Sequence, residues 1–383
     1  MISVQKLVAL RARRQHLSPD AHGKGETDVQ HIIRDLQPLP LAPSSRSPYF
    51  DSRVDGYQPL WYRELRRAHR IVEGHFVSGQ IACVATDDLP LYAAAFRVFC
   101  PRSLATEAER FLALLRRLGP LRKSQLQELL GWDVRLFTRV LTALSRSFLI
   151  VQMPQDAEWD NPWALMSAAY PMVEHSDWDP LSARGEALRR FVIAFGAASL
   201  RHMVEWSGWG AAEVNRALAP LLSGGTLTQL KVKGQPDTLY VPPGDLDELQ
   251  EQPDLPHFLT ALPPNDPFVL PQWSSVIERY RTASLPLCHA VLVMDGEIAG
   301  ATWGHPRRHY VWIESLNLHP EIEAGDDLFD QALAAIESYV SGGRVPIRIY
   351  APNHDESPRM AKRLERHGYE REIGYYIKTF GRI

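Results

Sequence analysis

Gly131-Trp132-Asp133-Val134-Arg135-Leu136-Phe137-Thr138-Arg139-Val140-Leu141-Thr142-Ala143-Leu144-Ser145-Arg146 decides how this chain is read, because its apolar and basic residues recur at helical period on different faces. Val134, Phe137, Val140, Leu141 and Leu144 make a core stripe, and Asp133 stands where a helix N-cap belongs. Arg135, Arg139, Thr142 and Arg146 share the opposite face. A helix with core on one side and arginine on the other suits a phosphate backbone.

The same grammar returns 77 residues later, with Gly208-Trp209 in the register of Gly131-Trp132. Leu141, Leu144 and Ile150 then fall on Leu218, Leu221 and Leu227. Each copy reads as a helix (107–118 and 186–195), a short helix (123–130 and 200–206), a Gly-Trp turn, a third helix and two strands. That is the order of a helix-turn-helix followed by a wing. In the second copy the third helix shows Glu213, Asn215 and Arg216 outside and has Pro220 near its end, so its outer face is nearly neutral. Its wing is basic instead: Lys231 and Lys233 precede the turn Gly234-Gln235-Pro236-Asp237, between strands over 226–232 and 238–241. Such lysines either rest on phosphates or solubilise a hairpin.

The remaining chain supplies two further segments. The 383 residues, 45% hydrophobic and 23% charged, suffice for two or three cores. The pattern divides them into an N-terminal helical and strand segment (1–105), a first winged helix (106–181), a second (182–243) and a C-terminal α+β domain (262–383). The fold class expected is α+β, mainly helical. In the first segment a helix over 4–15 carries Arg11, Arg13 and Arg14 and leads to His16. Gly23-Lys24-Gly25 breaks it from a helix ending at Leu36, and Pro38, Pro40, Pro43 and Pro48 forbid helix beyond Gln37. A helix follows over 59–70 and a strand or hairpin over 76–85. An acidic connector runs from Pro242 to about Pro264. The last domain should hold a hairpin turning at Asp295-Gly296, then strand 309–318, helix 327–340, strand 345–350, helix 358–367 and strand 371–380.

The net charge of -3 hides an uneven distribution. Residues 1–150 hold 22 Lys and Arg against 14 Asp and Glu, and the rest of the chain holds 20 against 31. A basic half is the footprint phosphate binding requires, although Arg-rich helices also serve as plain solvated faces. Double-stranded DNA is therefore the expected partner of a monomeric chain. The candidate contacts are Arg13, Arg14, His16, Gln80, Arg122, Lys123, Arg135, Arg139, Arg146, Lys231 and Lys233. Cys83, Cys100 and Cys288 are odd in number and lack C-x-x-C spacing, so they read as buried thiols, with no metal and no small-molecule cofactor expected. No apolar run approaches the ~20 residues of a membrane span, and Met1-Ile2-Ser3-Val4-Gln5-Lys6 does not open a secretory signal. Cytoplasmic residence is the expectation.

Several stretches resemble the AlkZ-type DNA glycosylases, tandem winged-helix proteins that excise N7-alkylated purines and unhook interstrand crosslinks. They are Arg13-Arg14-Gln15-His16-Leu17, Asp35-Leu36-Gln37, Phe76-Val77-Ser78-Gly79-Gln80-Ile81, Asp88-Leu89-Pro90-Leu91, and Leu262-Pro263-Pro264-Asn265-Asp266-Pro267, together with the repeat itself. The resemblance implies hydrolysis of an N-glycosidic bond. In that family a Gln-x-Gln or Gln-x-Asp signature positions the attacking water and stabilises the cationic sugar. Gln37 matches its first position, which implies a catalytic role, and Leu39 stands at the third, where it can neither hold water nor offset charge. Gln80-Ile81-Ala82 likewise stands where many members have Thr-Leu-His after the glycine. Asp35, Asp51, Asp55 or Gln80 could supply the second polar group. Three readings follow: a glycosylase, a catalytically inactive damage-sensing binder, and a winged-helix transcriptional regulator. The C-terminal order of elements is similar in outline to an N-acetyltransferase. Its phosphate-binding loop, however, would be Glu321-Ile322-Glu323-Ala324-Gly325-Asp326-Asp327, whose acids repel pyrophosphate, so no acyl-CoA is expected.

Overall fold

Asp133 caps the helix Val134–Arg146 by accepting the Leu136 N–H at 2.8 Å, a donor the first helical turn would otherwise leave unpaired. Phe137, Val140 and Leu144 of this helix are buried with Phe111 and Leu115 of the helix Ala105–Leu118 and Leu126 of the helix Lys123–Leu130. The strands Ile150–Gln152 and Trp163–Leu165 then pair antiparallel. In the second copy the helices are Pro180–Phe195, Leu200–Ser207 and Ala211–Ser223, and the strand Leu239–Val241 pairs with both Thr228–Leu230 and Ala198–Ser199. The Gly-Trp turns have one cause in both copies. Gly131 (φ 63°) and Gly208 (φ 72°) end the second helix in the left-handed conformation, each donating its N–H back to the helix, to Gln127 and Val204.

The computed structural model describes residues 2–42, 48–154, 160–233, 235–305, 307, 310–341, 347–349, 358–372 and 375–378. They form two compact units, one of Met1–His22, Asp51–Arg53 and Leu249–Ile383, the other of Gly23–Phe50 and Val54–Glu248. The second unit contains both copies of the repeat. It also contains a three-stranded sheet in which Ile81–Ala85 lies between Leu39–Pro40 and Ile71–His75. Val29, Ile33 and Leu36 of the helix Glu26–Leu36 cover this sheet, with Leu39, Ile71 and Cys83 in the same core.

The first unit is built on a seven-stranded sheet. Its order is Glu370–Glu372, Tyr375–Lys378, Ile347–Ile349, Val311–Leu318, Glu297–His305, Leu287–Met294, Leu259–Leu262. Among the described residues only the pairing of Val311–Leu318 with Ile347–Ile349 is parallel. Phe329, Leu333 and Ile336 of the helix Asp326–Ser341 fill the core against Ala290, Leu292 and Ile313. The helix Val4–Arg14, opened by Ser3, belongs to this unit. At its centre lies a fully buried ion pair. Arg53 Nη1 and Nη2 donate to the two Asp266 oxygens at 2.8 and 2.7 Å, Arg53 Nε donates to the Gln15 carbonyl at 3.0 Å, and Asp266 also accepts the Phe268 N–H at 2.9 Å.

The α+β class is as expected, and the hairpin turns at Asp295-Gly296. Several details differ. Val134, expected in the core stripe, stands at the first turn of its helix and is 69% exposed. The acidic connector holds the helix Asp245–Glu251 and the edge strand Leu259–Leu262, a run too short between prolines to show alternation. The wing strand expected over 226–232 narrows to Thr228–Leu230. Cys83 and Cys288 are buried, but Cys100 is half-exposed, because it lies in the segment after the helix Leu89–Phe96 and before Pro101. Gly234, His309, Val345, Pro346, Tyr350, Ile373, Gly374, Thr379 and Phe380 of the predicted turn and strands lie outside the described residues.

Candidate functional site

Gln37 closes the helix Glu26–Leu36 and is only 5% exposed. Its amide is held at both ends: Nε2 donates to Asp88 Oδ2 at 2.6 Å, and Oε1 accepts the Ala85 N–H at 2.8 Å. Its backbone carbonyl accepts the Tyr92 hydroxyl at 3.0 Å. Asp88 extends the network to the second copy of the repeat. Arg190 donates to Asp88 Oδ1 at 2.7 Å and to Glu186 at 2.9 Å, and Arg189 grips Glu186 with two bonds of 2.7 Å. Burial alone would raise the Glu186 carboxyl, but hydrogen bonds from Arg189 and Arg190 hold it below the usual carboxylate range. Beyond these bonds a carboxamide keeps one N–H and one lone pair for a further polar partner.

Leu39 is 2% exposed and faces Cys83 across the sheet, packed in the core with Leu36 and Phe50. Ala82 is buried on the same strand, Gln80 is half-buried, and Asp35, Asp51 and Asp55 are exposed.

The loop between Ile71–His75 and Ile81–Ala85 reaches both copies of the repeat. The Ser78 hydroxyl donates to the Glu205 carbonyl at 2.8 Å, and a Cβ at Gly208 would lie 2.8 Å from Ser78 Cα, so only glycine admits the loop. On the other side the Arg146 guanidinium lies against Gly79. His75 Nδ1 sits 3.1 Å from the Gly79 carbonyl. Burial lowers the His75 pKa against that carbonyl's pull, and nearby Arg146 lowers it further.

On the helix Val134–Arg146 the expected face is realised. Arg135, Thr138, Arg139, Thr142 and Arg146 are all exposed, and none of the three arginines meets a carboxylate within 4.0 Å among the described residues. They border a groove of about 740 Å³ whose opposite wall is the segment with Val98, Phe99 and Pro101. Phe99 is 83% exposed and Val134 69%. Sequence pattern misses Phe99, because a Val-Phe pair after a helix reads as core, and only the packing reveals that it stands outside.

Arg122 and Lys123 lie exposed at the start of Lys123–Leu130, with their backbone amides held by Gln125 and Asp160. Lys231 and Lys233 are exposed beyond Thr228–Leu230. Arg184 stacks over Trp209 and pairs with Glu213 at 3.1 Å. In the other unit, Arg13 is engaged inward: it donates to Asp20, to Gln252 and to the Pro253 and Asp254 carbonyls, all between 2.9 and 3.1 Å. Arg14 is half-buried, and His16 lies with Nδ1 3.1 Å from the Ala21 carbonyl.

In the C-terminal unit, the segment compared with an acyl-CoA loop is the short helix Pro320–Ala324 and the start of the helix Asp326–Ser341. Asp326 pairs with Arg359 and Arg363, whose hydrogen bonds, Arg363 first, hold its carboxyl down at about 2. Among the described residues no cluster of His, Cys, Asp or Glu could hold a metal, and no helix is long and apolar enough to cross a membrane.

A family model described as DNA glycosylase AlkZ-like matches residues 37–339. No curated protein matches the chain. Among solved structures it is similar to the Streptomyces sahachiroi DNA glycosylase AlkZ, with a TM-score of 0.67 at 15% identity, over 91% of this chain and 99% of that one. At that identity the likeness is one of fold.

Proposed function

The chain belongs to the AlkZ-like DNA glycosylase family, and on that premise we propose that it binds double-stranded DNA and hydrolyses the N-glycosidic bond of N7-alkylated or bulky purine adducts, with Gln37 at the reacting centre. The observation that carries the reading is the held amide of Gln37, fixed by Asp88 and Ala85 with hydrogen-bonding capacity to spare. An N7-alkylated purine is already cationic and leaves with little acid assistance. The chain then has two tasks: placing a water and offsetting positive charge on the sugar. Water oxygen bonds to the anomeric carbon, the C–N bond breaks with its electron pair going to the purine, and the water proton passes to solvent. Gln37 orients that water. Asp88, bonded to Gln37, is the carboxylate nearest to the role the family pattern gives to the position of Leu39.

In this reading the two copies of the repeat are winged helices. Phosphate contacts come from Arg122, Lys123, Arg135, Arg139 and Arg146 in the first and from Lys231 and Lys233 in the second, with Gln80 on the loop between them. Arg14 and His16 add contacts from the N-terminal helix and its end, and Arg13 acts there as a strut, since its donors are engaged within its own unit. One chain carries both helix-turn-helix units, so a monomer suffices, working on DNA in the cytoplasm. The burial of Leu39 favours a second reading, a binder of damaged DNA without catalysis, because it leaves Gln37 alone of the signature pair.

Incubation with a labelled duplex bearing one N7-methylguanine, followed by hot alkali, decides between them. Strand breakage at the lesion is expected. Lesion-preferring binding without breakage would replace the enzyme with the sensor, and a dimer on an undamaged palindrome would replace both with a regulator.

A further inference from the structure

We propose that Phe99, backed by Val98 and Val134, is a wedge that enters the base stack of bound duplex DNA beside the arginine face of Val134–Arg146. The inference rests on the DNA-binding reading and adds to it a residue and a deformation of the substrate. Single exposed apolar side chains are ordinary on protein surfaces. Here three stand together, Phe99 at 83%, Val134 at 69% and Val98 at 49% exposure, along one groove of about 740 Å³.

Phe99 is also presented from a fixed backbone. The Val98 N–H donates to the Arg146 carbonyl at 3.0 Å, and the Ser147 hydroxyl donates to the Val98 carbonyl at 2.7 Å. The ring therefore projects from a segment bonded to the end of the basic helix itself, and its approach to a ligand needs no loop rearrangement.

Charge identifies the occupant. The groove carries Arg135, Arg139 and Arg146 and no acidic residue. Apolar tips ringed by unpaired cations match a ligand that is anionic outside and aromatic inside, which is a nucleic acid duplex with phosphates at the rim and bases within. Side chains of this type pushed between base steps unstack them and kink the duplex. A step weakened by a damaged base costs less to open, so the wedge would favour lesions before any bond is broken.

The test uses the full chain and a duplex carrying 2-aminopurine, whose fluorescence rises on unstacking. Wild type should brighten the probe several-fold at one or two positions of the bound site. Phe99→Ala should remove most of that rise and weaken binding roughly five- to a hundredfold, the range of one aromatic–base stack. Its circular dichroism and the salt dependence of binding should stay unchanged, since the phosphate contacts remain. Phe99→Leu should keep part of the signal. Arg135→Ala with Arg139→Ala should instead reduce binding and its salt slope together. A wild type that binds but leaves the probe dark at every position overturns the wedge, as does a Phe99→Ala variant that brightens it equally. A wild type that binds no DNA overturns the function reading first and the wedge with it. Loss of self-association in Phe99→Ala with DNA binding intact assigns the patch to a second copy and overturns the wedge.

Discussion

Asp266→Ala should destabilise the first unit more than removing both members of its ion pair. In the wild type the Arg53 guanidinium is fully buried, bonded twice to Asp266, once to the Gln15 carbonyl and, at 3.3 Å, to the Ser52 hydroxyl. Breaking a buried pair from one side costs about 3–5 kcal/mol, because a charge is left without its partner. Losing Asp266 also orphans the Phe268 N–H, adding about 1–3 kcal/mol, so the single variant should lose roughly 4–8 kcal/mol. Arg53→Met combined with Asp266→Ala removes the charge altogether. It removes the bonds that Arg53 and Asp266 make to the Gln15 carbonyl and the Phe268 N–H, about 2–6 kcal/mol together. The double variant should therefore be the more stable of the two, by about 2 kcal/mol at the centres of these ranges. Urea unfolding followed by circular dichroism, run as a double-mutant cycle, measures the difference. Additive single effects, with the double variant least stable, would refute a pair that acts through uncompensated charge.

Three further outcomes follow from the geometry. Leu39→Asp, which restores the family's polar residue on paper, should destabilise by at least about 3 kcal/mol in thermal or urea unfolding, because it exchanges a buried leucine for a buried carboxylate; a folded variant with raised excision would contradict the placement of Leu39 in the core. Arg135→Ala with Arg139→Ala should weaken binding to all duplexes about equally and lower the log–log salt slope by about 2, whereas loss confined to one sequence would mean base readout. Asp326 sits folded at about 2, below its ordinary value near 4, so the stability it lends is present above pH 4 and lost as pH falls towards 2. Asp326→Asn should flatten that part of the stability profile, and an unchanged acid limb would show that Arg359 and Arg363 do not hold the charge.

The repeat was legible because helical period, a capping aspartate and a glycine that must turn left-handed are local features, and all three recur at Gly131 and Gly208. The arginine face of Val134–Arg146 was legible for the same reason, since four residues on one helix need no tertiary knowledge. What the chain brings together across long separations was not. Gln37 meets Asp88 and, through it, Arg190, and no spacing rule links those positions. Asp266 looks like one polar residue in a proline-rich loop, yet it neutralises Arg53, 213 residues away. Val134 misled in the opposite direction, because helical period put it in the core stripe, yet at the first turn of its helix it stands 69% exposed, and hydrophobicity alone cannot say which apolar residue stays outside. Arg13 belongs to the same class, a basic residue of a basic helix whose donors turn inward.

The most direct test of the account is single-turnover excision from a duplex containing N7-methylguanine, comparing wild type with Gln37→Ala. The substitution leaves the Ala85 N–H unpaired, so both proteins are assayed below the unfolding onset of the variant. If Gln37 holds the water, the variant's rate is lower by roughly ten- to a thousandfold, the effect of losing one positioning group, with duplex affinity little changed. Equal rates in the two proteins would contradict the account and move the reacting centre away from Gln37.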